Sequence, residues 1–268
     1  MQDGEYIVDR WMVDVLRDIC MKRDIVFSTY SDDWLLELRK DEVVRRVLGY
    51  RFDLNDSVSA SIAQDKVATY EILAKAGIAS VPHVLVRTKV SRADRHAMDA
   101  WDKVVVKPLV GTSGHGVRLF GDIAQATKHI EDSKITAWAA APFVKIRREI
   151  RVILLDGKPL AVYEKIPVMI NGLKMFNLGL GAQPKDIELN EEIESLAARA
   201  QTEMGLRLST VDIIEDELGE RKVLEINDSI MMEHYMRYST ENKKKAEYVY
   251  ESIVDAMMSG SRQNISGF

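Results

Sequence analysis

Lys103-Val104-Val105-Val106-Lys107-Pro108-Leu109-Val110-Gly111-Thr112-Ser113-Gly114-His115-Gly116-Val117-Arg118 is the stretch on which the fold turns. Its β-branched run reads as a buried strand, and the small residues after it permit a sharp turn that brings backbone amides close to an anion. Lys107 closes the strand, where a flexible ammonium is a point charge within reach of a phosphate oxygen. Lys107 and the loop residues Gly111, Thr112, Ser113, Gly114, His115 and Gly116 are therefore candidate phosphate ligands. The competing reading is an ordinary hairpin with Lys107 at its solvated end, and the loop by itself does not exclude it. The loop is neither a P-loop nor a dinucleotide fingerprint: no Lys-Ser or Lys-Thr pair follows the glycines, and Val117 to Phe120 continues as a strand instead of opening a helix.

Composition narrows the setting. With 268 residues, 46% of them hydrophobic, the chain has room for a substantial core, in one large domain or two to three small ones. A net charge of -5 leaves no overall basic field, which argues against nucleic acid or an anionic membrane as the main partner. The lone cysteine, Cys20, excludes an internal disulfide framework and fits a reducing cytoplasm; it falls in an apolar helical pattern, as a buried structural thiol would. The opening Met-Gln-Asp-Gly-Glu lacks the basic and apolar regions of a signal peptide, and the apolar stretch Ala137 to Val144 is far below the roughly 20 residues that a spanning helix needs.

Upstream of the glycine loop, apolar residues from Asp9 to Met21 recur at helical spacing, and Ile25 to Phe27 and Val43 to Leu48 read as strands. This is a small α/β unit ending near Ala60, too small for a complete doubly wound domain. Asp65-Lys66 opens a helix that runs to Lys75 and is stopped by Gly77 and Pro82. His83 to Arg87, Lys103 to Lys107, Val117 to Phe120 and Thr136 to Val144 read as strands, with helices near Arg92 to Ala100 and Ile123 to Asp132. The expected result is a compact lobe with two helices on one face of a four-stranded antiparallel sheet.

Further on, Arg147 to Lys158 reads as a strand and tight turn returning through Pro159 to Lys165, with Arg147, Arg148 and Lys158 in water. After a helix from Glu191 to Met204 come two apolar strands carrying Asp212 and Glu225. Carboxylates on such strands are rarely tolerated unless paired or bound to a cation. Glu225 and Asn227 share one face of their strand, and with Asp212 they offer only oxygen donors, which suits magnesium bridging phosphates. Glu215, Asp216, Glu217 and Glu220 read instead as solvated acids of the connecting turn. A helix with Met231, Met232 and Tyr235 in the core and its charges outside is the reading for the segment around His234 and Arg237.

In this order the parts resemble the ATP-grasp superfamily, of the RimK and glutathione synthetase type, from about Ser59 to Met258. The resemblance implies an α/β (α+β) fold in which a nucleotide is held between two α+β lobes. It divides the chain into an N-terminal unit (1–60), a small lobe with its leading helix (61–143), a large lobe with the metal site (144–258) and a loose tail (259–268). It makes Lys66 the partner of Lys107 at the phosphates and puts Ala141, Phe143 and Val144 at the adenine hinge, where backbone groups hold the base although Pro142 replaces the usual acid. Arg151 is similar to the arginine of the family's acid-Ile-Arg element, Lys165 stands where the paired strand usually carries arginine, and Lys174 and Asn177 lie in a segment similar to one that approaches the phosphates. Asp212, Glu225 and Asn227 match the metal signature. The closing helix, Glu241 to Met258, would pack Tyr248, Ile253 and Val254 inward.

The implied reaction is ATP-dependent ligation of a carboxylate to an amine through an acyl phosphate, with release of ADP and phosphate. The implied cofactors are ATP and magnesium, with manganese as an alternative ion. The implied partners are a small-molecule or peptide carboxylate and an amine acceptor, and a second copy of the chain is one way to complete the short N-terminal unit. Where many ligases follow the asparagine with Ser-Pro-Gly, this chain has Asp228-Ser229-Ile230, so the substrates stay open. Acid-thiol ligation, phosphorylation of a small molecule and non-catalytic nucleotide binding stay open with them.

Overall fold

The structure, a computed structural model, describes residues 9–111, 116–170 and 173–259; Thr112, Ser113, Gly114 and His115 of the glycine loop lie outside the described residues, as does the tail from residue 260. Helix α1 (Trp11–Lys22) buries Met12, Val15, Leu16, Ile19 and Cys20 on one stripe. Burial raises the Cys20 thiol to about 11, which keeps it inert. Strands β1 (Val26–Tyr30), β2 (Leu35–Lys40), β3 (Val43–Leu48) and β4 (Arg51–Phe52) follow as an antiparallel meander in chain order. β2 was not expected: it is preceded by Ser31, Asp32 and Asp33, all at φ between 52 and 62°, a left-handed turn built without glycine.

Helices α2 (Ser57–Gln64) and α3 (Lys66–Lys75) meet at Asp65, whose carboxylate accepts from the amides of Val67 and Ala68 and so caps α3. The small lobe then forms as expected: β5 (Val84–Arg87), α4 (Arg92–Met98), β6 (Val104–Pro108), β7 (Arg118–Phe120), α5 (Ile123–Glu131) and β8 (Ala137–Pro142) make an antiparallel sheet of order β5-β8-β6-β7. Val86, Val104, Val106, Trp138 and Ala140 pack against Met98, Ala126 and Ile130 of the helices. By the two-residue period of a strand, Lys107, Ala139 and Ala141 lie on the opposite face.

The large lobe is built on β9 (Ile146–Leu155), β10 (Lys158–Ile166), β13 (Gln183–Asp186), β14 (Leu208–Asp216) and β15 (Arg221–Asn227), all antiparallel in the order β13-β10-β9-β14-β15. Between β10 and β13 runs a two-stranded ribbon of β11 (Val168–Ile170) and β12 (Leu173–Met175). The β9–β10 turn places Asp156 at φ 49° and Gly157 at φ 79°, the two left-handed positions a two-residue hairpin requires. Residues 79–81 extend the sheet beyond β15: Val81 N–H donates to Val223 O and Val223 N–H to Ala79 O, both at 2.9 Å. The chain therefore leaves the large sheet only three residues before it enters the small one.

One face of the large sheet, with Ile150, Val152, Leu154, Val211, Ile213, Val223 and Ile226, is covered by α2, α3 and α6 (Glu191–Glu203) through Ala63, Leu73, Ile193, Ala197 and Ala200. On the other face Ile153, Tyr163 and Leu208 join a core made by α1, the N-terminal strands, α7 (Glu233–Met236) and α8 (Thr240–Ser259). Contrary to expectation, the charges of the segment around His234 do not all lie outside: Glu233 is fully buried, because its two oxygens accept from the first amides of α1, Trp11 N–H at 3.0 Å and Met12 N–H at 3.1 Å.

Two further expectations are corrected. Tyr248 does not pack inward but is 58% exposed; the buried stripe of α8 is Ala246, Val249, Tyr250, Ile253, Val254 and Met257, and position 248 falls off it by the 3.6-residue period. Glu215 and Asp216 are buried, not solvated: Arg147 and Arg221 clamp Glu215, and Asp216 accepts from the turn amides of Leu218 and Glu220 and pairs with Lys222. Arg147 is thereby an ion-pair partner, as is Arg148, which meets Glu164 at 2.9 Å. No helix among the described residues is long and apolar enough to cross a membrane.

Candidate functional site

The charged half of the large sheet aligns four side chains in one cross-strand row. Tyr163 on β10 lies opposite Arg151 on β9, Arg151 opposite Asp212 on β14, and Asp212 opposite Glu225 on β15. Directly opposite residues share a face, so this register fixes which groups meet. Arg151 donates from Nε and Nη2 to the two oxygens of Asp212, each at 2.7 Å, the fork-on-carboxylate geometry that only arginine offers. Lys165 Nζ sits 2.7 Å from Glu149 Oε1 and 2.9 Å from Asp212 Oδ2. The network thus holds two cations, Lys165 buried and Arg151 partly so, against two buried carboxylates.

Its electrostatics follow from burial opposed by neighbours. Burial would raise Asp212, but Arg151 and Lys165 hold its carboxyl well below the usual range. Glu149 ends up raised, because burial and the Asp212 charge outweigh Lys165. Lys165 is raised, since the two carboxylates outweigh its burial and the Arg151 charge. Asp212 therefore stays ionised at any working pH, and the two cations stay charged with it.

A carboxylate offers about four lone-pair sites. Hydrogen bonds from Arg151 and Lys165 occupy three of those on Asp212, leaving one on Oδ1 beside Glu225. Asn227 stands two residues beyond Glu225 on the same face. Among the described residues no three His, Cys, Asp or Glu side chains gather around one point. The set Asp212, Glu225 and Asn227 contains two such acids and is completed by an amide oxygen. All of its donors are oxygen, so it fits magnesium.

Facing this row is the small lobe. Lys107, at the end of β6, is partly buried; burial lowers its ammonium to about 8, with Glu225 and Glu149 favouring the charge and Lys66 opposing it. Lys66, at the start of α3, donates to Gly111 O at 3.0 Å, which ties the leading helix to the glycine loop. Gly116 closes that loop at φ 74°, with Pro108 3.0 Å from where a Cβ would stand. The structure therefore brings Lys66, Lys107, Gly111, Arg151, Lys165, Asp212, Glu225 and Asn227 to the two walls of one cleft.

At the hinge, Ala141 packs with Val81 and Ile214 in a closed apolar core bordered by Val144, Ile146 and Leu224. Phe143 N–H is already taken by Lys103 O at 2.9 Å. Two expected residues stand apart from the row. Lys174 is exposed and donates to Ile146 O at 3.1 Å, and Asn177 caps the short turn Leu178–Leu180 by accepting from Gly179 N–H at 2.7 Å. Sequence reasoning missed Glu149, which pairs with Lys165. Glu149 had a signal: it is an acid on an apolar strand, two residues before Arg151 and so on the same face, the rule that picked out Asp212.

Similarity to solved structures agrees with this architecture. The D-alanine–D-alanine ligase of Bacillus anthracis superposes with a TM-score of 0.60 at 18% identity, covering 76% of this chain and 69% of that one, so the fold is that of the ATP-grasp enzymes. The chain belongs to the RimK-like ATP-grasp domain family, which it matches over residues 63–249. The tetrahydromethanopterin:alpha-L-glutamate ligase of Methanocaldococcus jannaschii is 32% identical over 143 residues, 49% of this chain and 47% of that protein. The glutamate–LysW ligase ArgX of Sulfolobus acidocaldarius is 24% identical over 183 residues, 65% of this chain and 64% of that protein. The chain thus spans about half to two thirds of the length of these relatives.

Proposed function

We propose that this protein is an ATP-dependent ligase that joins a carboxylate to an amine. The observation that carries the reading is the row Arg151, Asp212 and Glu225 on one sheet face, opposite Lys66 and Lys107. The cleft offers fixed cations and oxygen donors, which is the equipment of phosphoryl transfer, where positioning and charge neutralisation supply most of the catalysis. A substrate carboxylate attacks the terminal phosphorus of ATP and ADP leaves; the amine then attacks the acyl carbon, loses a proton, and phosphate departs.

Lys66 and Lys107 hold the phosphates, and the hinge at Ala141, Phe143 and Val144 takes the base. Asp212 Oδ1, Glu225 and Asn227 would hold magnesium, which supplies charge neutralisation between the phosphates when bound. Arg151 keeps Nη1 outside its fork on Asp212, and these donors stabilise the acyl phosphate and the oxyanion formed when it is attacked. Lys165 holds Glu149 and Asp212 in place. Two relatives bear the name of glutamate ligases, and we extend that to glutamate as one of the two substrates here. A cytoplasmic location suits such a reaction.

The test is ADP release together with hydroxylamine trapping of the acyl phosphate, across amino acids and short peptides that include glutamate. An amide product identified by mass is expected. ADP release with no amide from any pair would point to other ATP-grasp chemistry, and absence of both trapping and turnover would leave a nucleotide-binding module.

Lys107 adds a pH signature. Because burial lowers it to about 8, the free protein loses this charge as pH rises through 8, so nucleotide affinity should be greatest below that pH and weaken by up to about tenfold per unit above it. Lys107→Met should lose about 2–4 kcal/mol of nucleotide binding and flatten the profile. Titration calorimetry with ATP between pH 6.5 and 9.5 reads both; a flat wild-type profile would contradict the phosphate role.

A further inference from the structure

His83 has no part in the ligation just described, yet its placement is unusual. The residue is 4% exposed, and its Nδ1 lies 2.8 Å from the carbonyl of Val81. A carbonyl only accepts, so Nδ1 carries the proton and Nε2 presents a lone pair. That Nε2 is buried and has no hydrogen-bond partner. A buried acceptor left unmet is costly, and such groups in a native fold call for a reason.

The sheet register says what the lone pair faces. Val84 pairs with Ala140, so position 83 stands beside Ala141, while Lys107 stands opposite Ala139. Positions 83, 139, 141, 105 and 107 share one face; across β8 from His83 come Ala141 and then Val105, and Lys107 stands one step further along β6, diagonal to His83 over the two alanines and within reach of a four-carbon stem. Lys107 is the charged group that His83 feels most, with Lys66 next. Lys66 already has an acceptor in Gly111 O.

We infer that His83 is a positioning residue for Lys107: its fixed Nε2 lone pair receives one N–H of the ammonium and leaves the other two aimed at the nucleotide phosphates. The inference rests on the nucleotide reading of the cleft. The choice of imidazole has a physical sense. A carboxylate at position 83 would also hold the ammonium, but it would cancel the charge the phosphates require. Neutral imidazole directs the ammonium and leaves its charge intact. The buried ring stays neutral because burial, with Lys107 adding to it, lowers His83 to about 3.

A double-mutant cycle on ATP affinity, with magnesium present and calorimetry as the readout, tests this. His83→Leu keeps an apolar group of similar bulk in the site and removes the acceptor, together with the Nδ1–H bond to Val81 O; it should remain folded by circular dichroism and bind ATP about tenfold more weakly, the scale of one hydrogen bond to a charged group. His83→Gln, which restores a neutral acceptor, should recover most of that loss, and His83→Glu should not. In a Lys107→Met background, His83→Leu should cause no further loss. An equal loss in both backgrounds, or no loss in the single variant, would overturn the positioning role while leaving the nucleotide site standing. Unchanged ATP affinity in Lys107→Met alone would overturn the nucleotide reading and this inference with it.

Discussion

Replacing Lys165 by methionine is expected to cost about 3–5 kcal/mol of folding stability, the scale for removing one partner from a buried ion pair. The side chain is 6% exposed and lies between Glu149 and Asp212, themselves 8% and 3% exposed. Methionine replaces the volume but leaves two carboxylates sharing Arg151. The loss should depend on pH with a definite sign. Glu149 is raised above its ordinary value in the fold, so in the variant protonating it relieves the repulsion. A group raised in this way favours the fold at low pH and loses that contribution as pH rises through its folded value. The deficit should therefore be larger at pH 8 than at pH 5, and Lys165→Met with Glu149→Gln should recover most of it. Urea denaturation of the three proteins at both pH values decides the matter; a deficit below 1 kcal/mol, equal at the two, would show that the network is not closed as described.

Glu225→Ala should reduce turnover by about a thousandfold or more while leaving the fold intact, because a metal ion contributes several kcal/mol of charge stabilisation in such chemistry. Glu225 is only half-buried and lies beside Asp212, whose charge is already balanced by Arg151 and Lys165, so removing it strands no buried partner. Glu225→Asp should retain a small fraction of the activity. ADP release measured alongside thermal melting separates the two effects, and turnover within tenfold of the wild type would refute the metal role of this strand.

The small lobe and the late hairpin were legible in the sequence because their signals are local. A β-branched run ending in Lys107, a proline after a helix stop, and acids two apart on apolar strands each constrain one element. What could not be read is what depends on distant chain. Three left-handed residues without glycine, Ser31 to Asp33, hid β2. The wrong tyrosine of α8 was assigned to the core because the phase of a long helix is set by what it packs on, here α1 and the N-terminal strands. Glu215 looked like a turn acid, and its burial depends on Arg147, 68 residues earlier. His83 gave no signal at all, since an unmet lone pair is a property of the assembled cleft.

The core shared by α1, the N-terminal meander and α8 ties the beginning of the described chain to its end, with Arg45 donating to Met257 O and Arg23 pairing with Asp255. During synthesis the first strands emerge from the ribosome long before the helix that covers them. The nascent meander must wait with its apolar side uncovered until α8 has been made. For the same reason, removing α8 should unfold the N-terminal unit, which circular dichroism of the shortened protein would show.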